Sequence, residues 1–176
     1  LLVQINDRPL ELLQEGANDL QPHQRTLRAA IQTGYDLLDS EQRALLRSLS
    51  IFSGGCDLEA VREVGAWAID APLRSLSSML RALLAKSLVN SETSAGGEKR
   101  FALLETVREF ALEQVRTEGS LQALHARHFA TYLNLARVAD SHLRQPEAAF
   151  WFAQLDVEHD NIRVALQWAL DSGQYT

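Results

Sequence analysis

The chain has 176 residues, 46% of them apolar, and a formal net charge of −6 at pH 7. That apolar share suits a packed core and excludes disorder, and no uncharged apolar run is long enough to span a bilayer. The acidic balance opposes nonspecific attraction to DNA or anionic lipid, and the single cysteine, Cys56, excludes an internal disulfide and points to a reducing cytoplasm.

Residues 1–14 carry Leu1, Ile5, Leu12 and Leu13 around a polar body interrupted by Pro9, and read as a helix tail with a short second turn. The start lacks an initiator Met and the segments of a signal peptide, so the chain is expected to come from a longer protein. A loop over residues 16–19 follows, and Pro22 can open the next helix. Leu27, Ile31, Tyr35 and Leu38 stripe that helix at helical spacing. Asp39 with Gln42 resembles a capping box for a second helix, whose face (Ala44, Leu45, Leu49, Phe52) runs to a firm stop at Ser53-Gly54-Gly55. Cys56 or Asp57 begins a short helix with Leu58, Val61 and Val64. Pro72 starts a leucine-rich one with Leu73, Leu76, Met79, Leu80, Leu83 and Leu84.

Residues 87–90 are β-prone, residues 91–99 form a polar tip with glycines, and residues 100–104 can return as a second strand. A helix from Glu105 turns Val107, Phe110, Ala111, Leu112 and Val115 inward until Gly119. Helices, then a hairpin, then a helix is the layout of a winged helix with the hairpin as its wing. Beyond Ser120 the pattern is helical throughout: Leu124, His128, Tyr132, Leu135 and Val138, a restart at Pro146, then Ile162, Leu166, Trp168 and Leu170 up to Asp171-Ser172-Gly173. Successive antiparallel helices of this length suit the start of a repeat array. The expected class is mainly α: a winged helix with a small β-hairpin wing, followed by antiparallel, TPR-like helical repeats.

Several strings carry a resemblance. They are Arg25-Thr26-Leu27-Arg28-Ala29-Ala30-Ile31 with Tyr35-Asp36-Leu37-Leu38, Leu49-Ser50-Ile51-Phe52-Ser53-Gly54-Gly55, and Leu83-Leu84-Ala85-Lys86-Ser87-Leu88-Val89. Further on come Phe101-Ala102-Leu103-Leu104-Glu105-Thr106-Val107-Arg108-Glu109-Phe110-Ala111 and Glu158-His159-Asp160-Asn161-Ile162-Arg163. In this order they resemble the large bacterial signal-transduction regulators built on a STAND (AP-ATPase, NB-ARC-like) ATPase, of LuxR or SARP type. The resemblance implies residues 1–20 as the end of a helical domain after the ATPase core, 21–119 as the winged helix and 120–176 as the first TPR-like repeats. It also implies ATP or ADP and Mg in the parent protein. No Gly-x-x-x-x-Gly-Lys-Ser/Thr string occurs here, so this segment is expected to hold no cofactor and no catalytic residues. Related nucleotide switches carry Met-His-Asp where the wing enters the final helix. The matching residues are Leu103, Leu104 and Glu105, of which Leu104 cannot donate to a phosphate, while Glu105 still places an acid at a helix start.

Four sets of residues are candidate sites. Arg74, Arg81 and Lys86 lie in an acid-free stretch on the third helix, where a DNA-reading winged helix keeps its recognition helix, or they are solvated edges of a buried leucine face. His125 and His128 sit one turn apart, yet no further ligands complete a metal site, so packing roles are expected. Trp151, Phe152 and Trp168 either clamp a partner on the repeats or pack in the core, and Asp160 or Asn161 caps or bridges neighbouring helices. The first expectation is a non-catalytic, cytoplasmic regulatory module. It relays a protein or small-molecule signal from the repeats to the ATPase core of the same parent chain through protein contacts, without membrane attachment, and with an open face able to form a homo-oligomer. The alternative is a DNA-binding winged helix of a transcription regulator.

Overall fold

The computed structural model describes residues 22–65, 73–93 and 97–173. The helix tail expected over residues 1–20 lies outside them. Helix α1 spans Pro22–Asp36 and α2 Ser40–Leu49. The turn between them is set by Asp39, whose carboxylate accepts the Gln42 N–H at 2.8 Å, the N-cap bond that the sequence pattern anticipates. Helix α3, Leu58–Ala60, is capped in the same way by Asp57 and continues as a π-helical turn over Val61–Gly65. Gly65 lets that turn approach α2, because a Cβ there would lie 2.9 Å from the Ser48 hydroxyl.

Helix α4, Leu73–Ala85, is followed by the hairpin β1 (Asn90–Thr93) and β2 (Lys99–Ala102) and by α5, Glu105–Thr117. The strands pair antiparallel with Asn90 opposite Ala102 and Thr93 opposite Lys99. Cys56 adds a one-residue third strand on the other side of β2. Its N–H donates to the Phe101 carbonyl at 2.9 Å and its carbonyl accepts from Phe101 at 2.7 Å. Leu45, Leu46, Leu76, Leu83, Val61, Val64, Phe110 and Val115 are fully buried beneath this small sheet and its helices. Each such side chain contributes about 1.5–3 kcal/mol of transfer free energy.

Two expectations are corrected here. The first strand begins at Asn90 rather than Ser87. Ser87 takes a positive φ of 56°, and the Leu88 N–H donates back to Leu83 at 3.1 Å, so these residues close α4 and drop Leu88 and Val89 into the core before pairing starts. Leu27, placed on the apolar stripe of α1, is exposed.

Three helices complete the described chain: α6 (Leu121–His142), α7 (Ala148–Val157) and α8 (His159–Ser172). Helix α6 packs against both α7 and α8, and also against the π turn of the winged helix. The inward face of α6 is Leu124, His128, Tyr132 and Ala139, whereas Val138 of the expected stripe is exposed. Phe150 and Phe152 on α7 are 57% and 58% exposed, and Leu166 and Leu170 of α8 also face outward, so α7 and α8 leave an apolar surface open.

Candidate functional site

The polar groups that the fold concentrates lie where the winged helix meets α6–α8. Gly54 and Gly55, with φ of 74° and 80°, turn the chain sharply after α2 and present the Gly55 carbonyl toward α8. A side chain is excluded at Gly55, where a Cβ would sit 2.9 Å from the Phe101 carbonyl oxygen. Asn161, in the first turn of α8 and buried, donates from Nδ2 to that Gly55 carbonyl at 2.8 Å and to Glu158 Oε2 at 2.8 Å. Its Oδ1 accepts the Ser53 N–H at 2.8 Å. Because the Ser53 amide can only donate and the Gly55 carbonyl can only accept, the orientation of the Asn161 amide is fixed.

Glu158, buried in the turn between α7 and α8, is the hub of this cluster. It forms a hydrogen-bonded ion pair with Arg100 of β2, and its Oε2 accepts the Tyr132 hydroxyl at 3.0 Å. Arg100 also donates to the Gly55 carbonyl at 3.0 Å. Burial works against the Arg100 charge, and the bond and charge of Glu158 outweigh it, so the guanidinium is held above its ordinary value. Burial, followed by the Glu158 charge, drives the Tyr132 hydroxyl far above the usual phenol range, so it serves only as a donor. The Cys56 thiol beside this cluster is likewise pushed well up by burial and is unreactive in place, in keeping with a core role.

Beneath the polar cluster lies an aromatic one. The Phe52 ring meets His128 edge-on at 5.3 Å between centroids and Tyr132 at 6.4 Å, and His128 lies 4.7 Å from Tyr132. His128 is completely buried. Its Nε2 lies 3.5 Å from Asn161 Oδ1, and its Nδ1 has no partner. Of the two residues expected to bridge helices, Asn161 does so, while Asp160 stays exposed beside Arg163.

The other singled-out residues are scattered. Leu104 is 54% exposed and provides no side-chain cap to α5, and Glu105 pairs with Arg108 at 2.7 Å, a bond that holds its carboxyl below the ordinary range. Trp151 stacks on His142 and Trp168 on His125. Those histidines are 17 residues apart on α6, about 25 Å along a helix axis. The two indoles therefore share no clamp, and each packs on its own histidine of α6. His125 and His128 likewise go to different neighbours, Trp168 and Phe52.

On α4 the buried face is Leu76, Met79, Leu80 and Leu83, and Ser78, Arg81 and Ala85 face outward with Lys86 just beyond the helix end. The Arg74 side chain lies outside the described residues. Neither Arg81 nor Lys86 forms an ion pair with a described side chain. Sequence reasoning did not find the Arg100–Glu158 pair, since its partners are 58 residues apart; the only local signals were His128 and Tyr132 one turn apart and Glu158 three residues before Asn161.

The chain is homologous to “Putative HTH-type transcriptional regulator Rv0890c” of Mycobacterium tuberculosis, 36% identical over 170 residues that make up 97% of this chain and 19% of the relative. It is also similar to “Uncharacterized protein Rv0894” of the same organism, 32% identical over 146 residues, 83% of this chain and 34% of that one. The chain thus spans from about a fifth to a third of the length of these relatives. No solved structure matches it significantly. Residues 38–116 match the winged helix-turn-helix domain, the segment running from the end of α1 to α5, so this chain carries a winged helix with a β-hairpin wing, followed by further helices.

Proposed function

We propose that this chain is the winged-helix segment of a transcription regulator and that it meets DNA through the outward face of α4. The observation that carries this reading is the winged helix-turn-helix match over residues 38–116; α4, the helix before the wing, is the recognition helix of this reading. The exposed Arg81 and Lys86, free of ion pairs with described side chains, suit phosphate contacts. Arg100 is committed to Glu158, so the wing contributes only Lys99, against Glu92 and Glu98. The phosphate contacts are therefore few, and binding is confined to low salt.

Fluorescence anisotropy of labelled duplex DNA at low and moderate salt tests this. Binding that weakens steeply with salt, and falls at least tenfold in Arg74→Ala/Arg81→Ala, is the expected result. Absence of binding even at low salt overturns it.

A second reading is favoured by the buried cluster between winged helix and repeats: a non-catalytic relay within a STAND-type regulator, passing a signal from the helical array to an ATPase core of the parent chain. A rigid joint between the wing strand and α8 is what such a relay needs. It is tested in the intact parent protein, where removing the winged helix should abolish nucleotide-dependent assembly; unchanged assembly would sink it.

A further inference from the structure

We propose that the joint between the winged helix and helices α6–α8 is a proton-operated latch, closed while the buried His128 is neutral and opened when its imidazole takes a second proton. This holds whether or not α4 meets DNA. The geometry fixes the neutral form. Asn161 Oδ1 is an acceptor held in place by the Ser53 N–H, so the His128 Nε2 facing it at 3.5 Å carries the ring hydrogen. The lone pair is then on Nδ1, which is buried and has no partner. A proton there would create a charged N–H sealed beside the Phe52 and Tyr132 rings with nothing to accept it.

The surrounding charges do not relieve this. On α6, His125 opposes a second cation. In the turn before α8, Glu158 attracts the proton, yet both of its oxygens are already taken by Arg100, Tyr132 and Asn161. On the winged-helix side the neighbouring groups are Arg100 and Cys56, which act on Glu158 and on each other, and Asp57, which acts on Cys56 and Tyr132. On α8, His159 and Asp160 are exposed. Burial dominates, and His128 is lowered from 6.5 to about 4.

For a base whose closed-state value is depressed, the stabilisation is complete above the open-state value near 6.5. It is lost as pH falls toward 4. Across that window the closing equilibrium weakens about tenfold per pH unit, about 300-fold in all. Opening separates Phe52, Ser53 and Gly55 from His128, Tyr132 and Asn161, while α2 keeps its own contacts with α4 and α5.

Hydrogen exchange between pH 7 and 4.5, corrected for the intrinsic pH dependence, reads this directly. The Ser53 amide, which donates to Asn161, should lose protection about tenfold per unit below pH 6.5 while α2 amides such as Leu46 remain protected. The slope should flatten in His128→Gln. Constant Ser53 protection, an equal slope in His128→Gln, or simultaneous loss at Leu46 would each overturn the latch. Where His128→Gln does not fold, an NMR titration of the His128 ring in the unaltered chain decides: a midpoint well below 6.5 that coincides with the Ser53 change supports the latch, and a midpoint at or above 6.5 overturns it.

Discussion

At the scale of single residues, the joint illustrates how a buried charge is held. Glu158 is buried, and an unpaired carboxylate there would cost several kcal/mol; Arg100, Tyr132 and Asn161 together meet that demand. Replacing Arg100 with Met should therefore destabilise the chain by about 3–5 kcal/mol in urea titration, more than the pair itself contributes, because Glu158 is left behind. The double variant Arg100→Met/Glu158→Met should recover most of that loss, and the two single costs should not add. Gly55 is the other sensitive position. Its φ of 80° and its approach to the Phe101 carbonyl both exclude a Cβ, so Gly55→Ala should cost about 1–3 kcal/mol by thermal or urea denaturation, whereas Gly97→Ala, with open space around it, should cost less.

At the scale of elements, most boundaries follow from short-range chemistry. Asp39 and Asp57 accept the first free amides of α2 and α3, Pro22 opens α1, and Gly119 and Gly173 end helices with positive φ. Asp39→Ala should lower stability by about 1 kcal/mol, while Asp39→Asn should retain most of the cap. The misplaced strand start has a local cause as well. Residues 87–90 look β-prone because Leu88 and Val89 are apolar, yet their burial comes from packing under the sheet and not from pairing within it. Period-two reasoning cannot separate those cases when only two residues are involved. On α7, Phe152, weighed between a clamp and the core, points outward, as does Phe150.

At the scale of the whole molecule, the winged helix and the helices after it share one apolar core, in which Leu124, Tyr132 and Ala165 join Leu45, Phe52 and Val61. The joint uses the Phe52–Gly55 turn, the π turn and β2 on the winged-helix side, and none of its polar residues comes from α4. A chain of net charge −6 can hold DNA only through a local basic face, so affinity by way of α4 should be confined to low salt.

The order of the helices and the winged-helix layout were legible in the amino-acid string, because caps, glycine stops and apolar periodicity act over a few residues, whereas the start of the first strand was not. The string also pointed to Asp160 or Asn161 as a cap or a bridge at the start of the last helix, and of the two Asn161 makes the bridge. The tertiary structure alone decided which residues meet. Arg100 and Glu158, Ser53 and Asn161, and Phe52 and His128 are 58, 108 and 76 positions apart. Nothing in local spacing encodes such a pairing. The same reason separates Trp151 from Trp168, because proximity along the chain says little about which turn of a long neighbouring helix each side chain will reach.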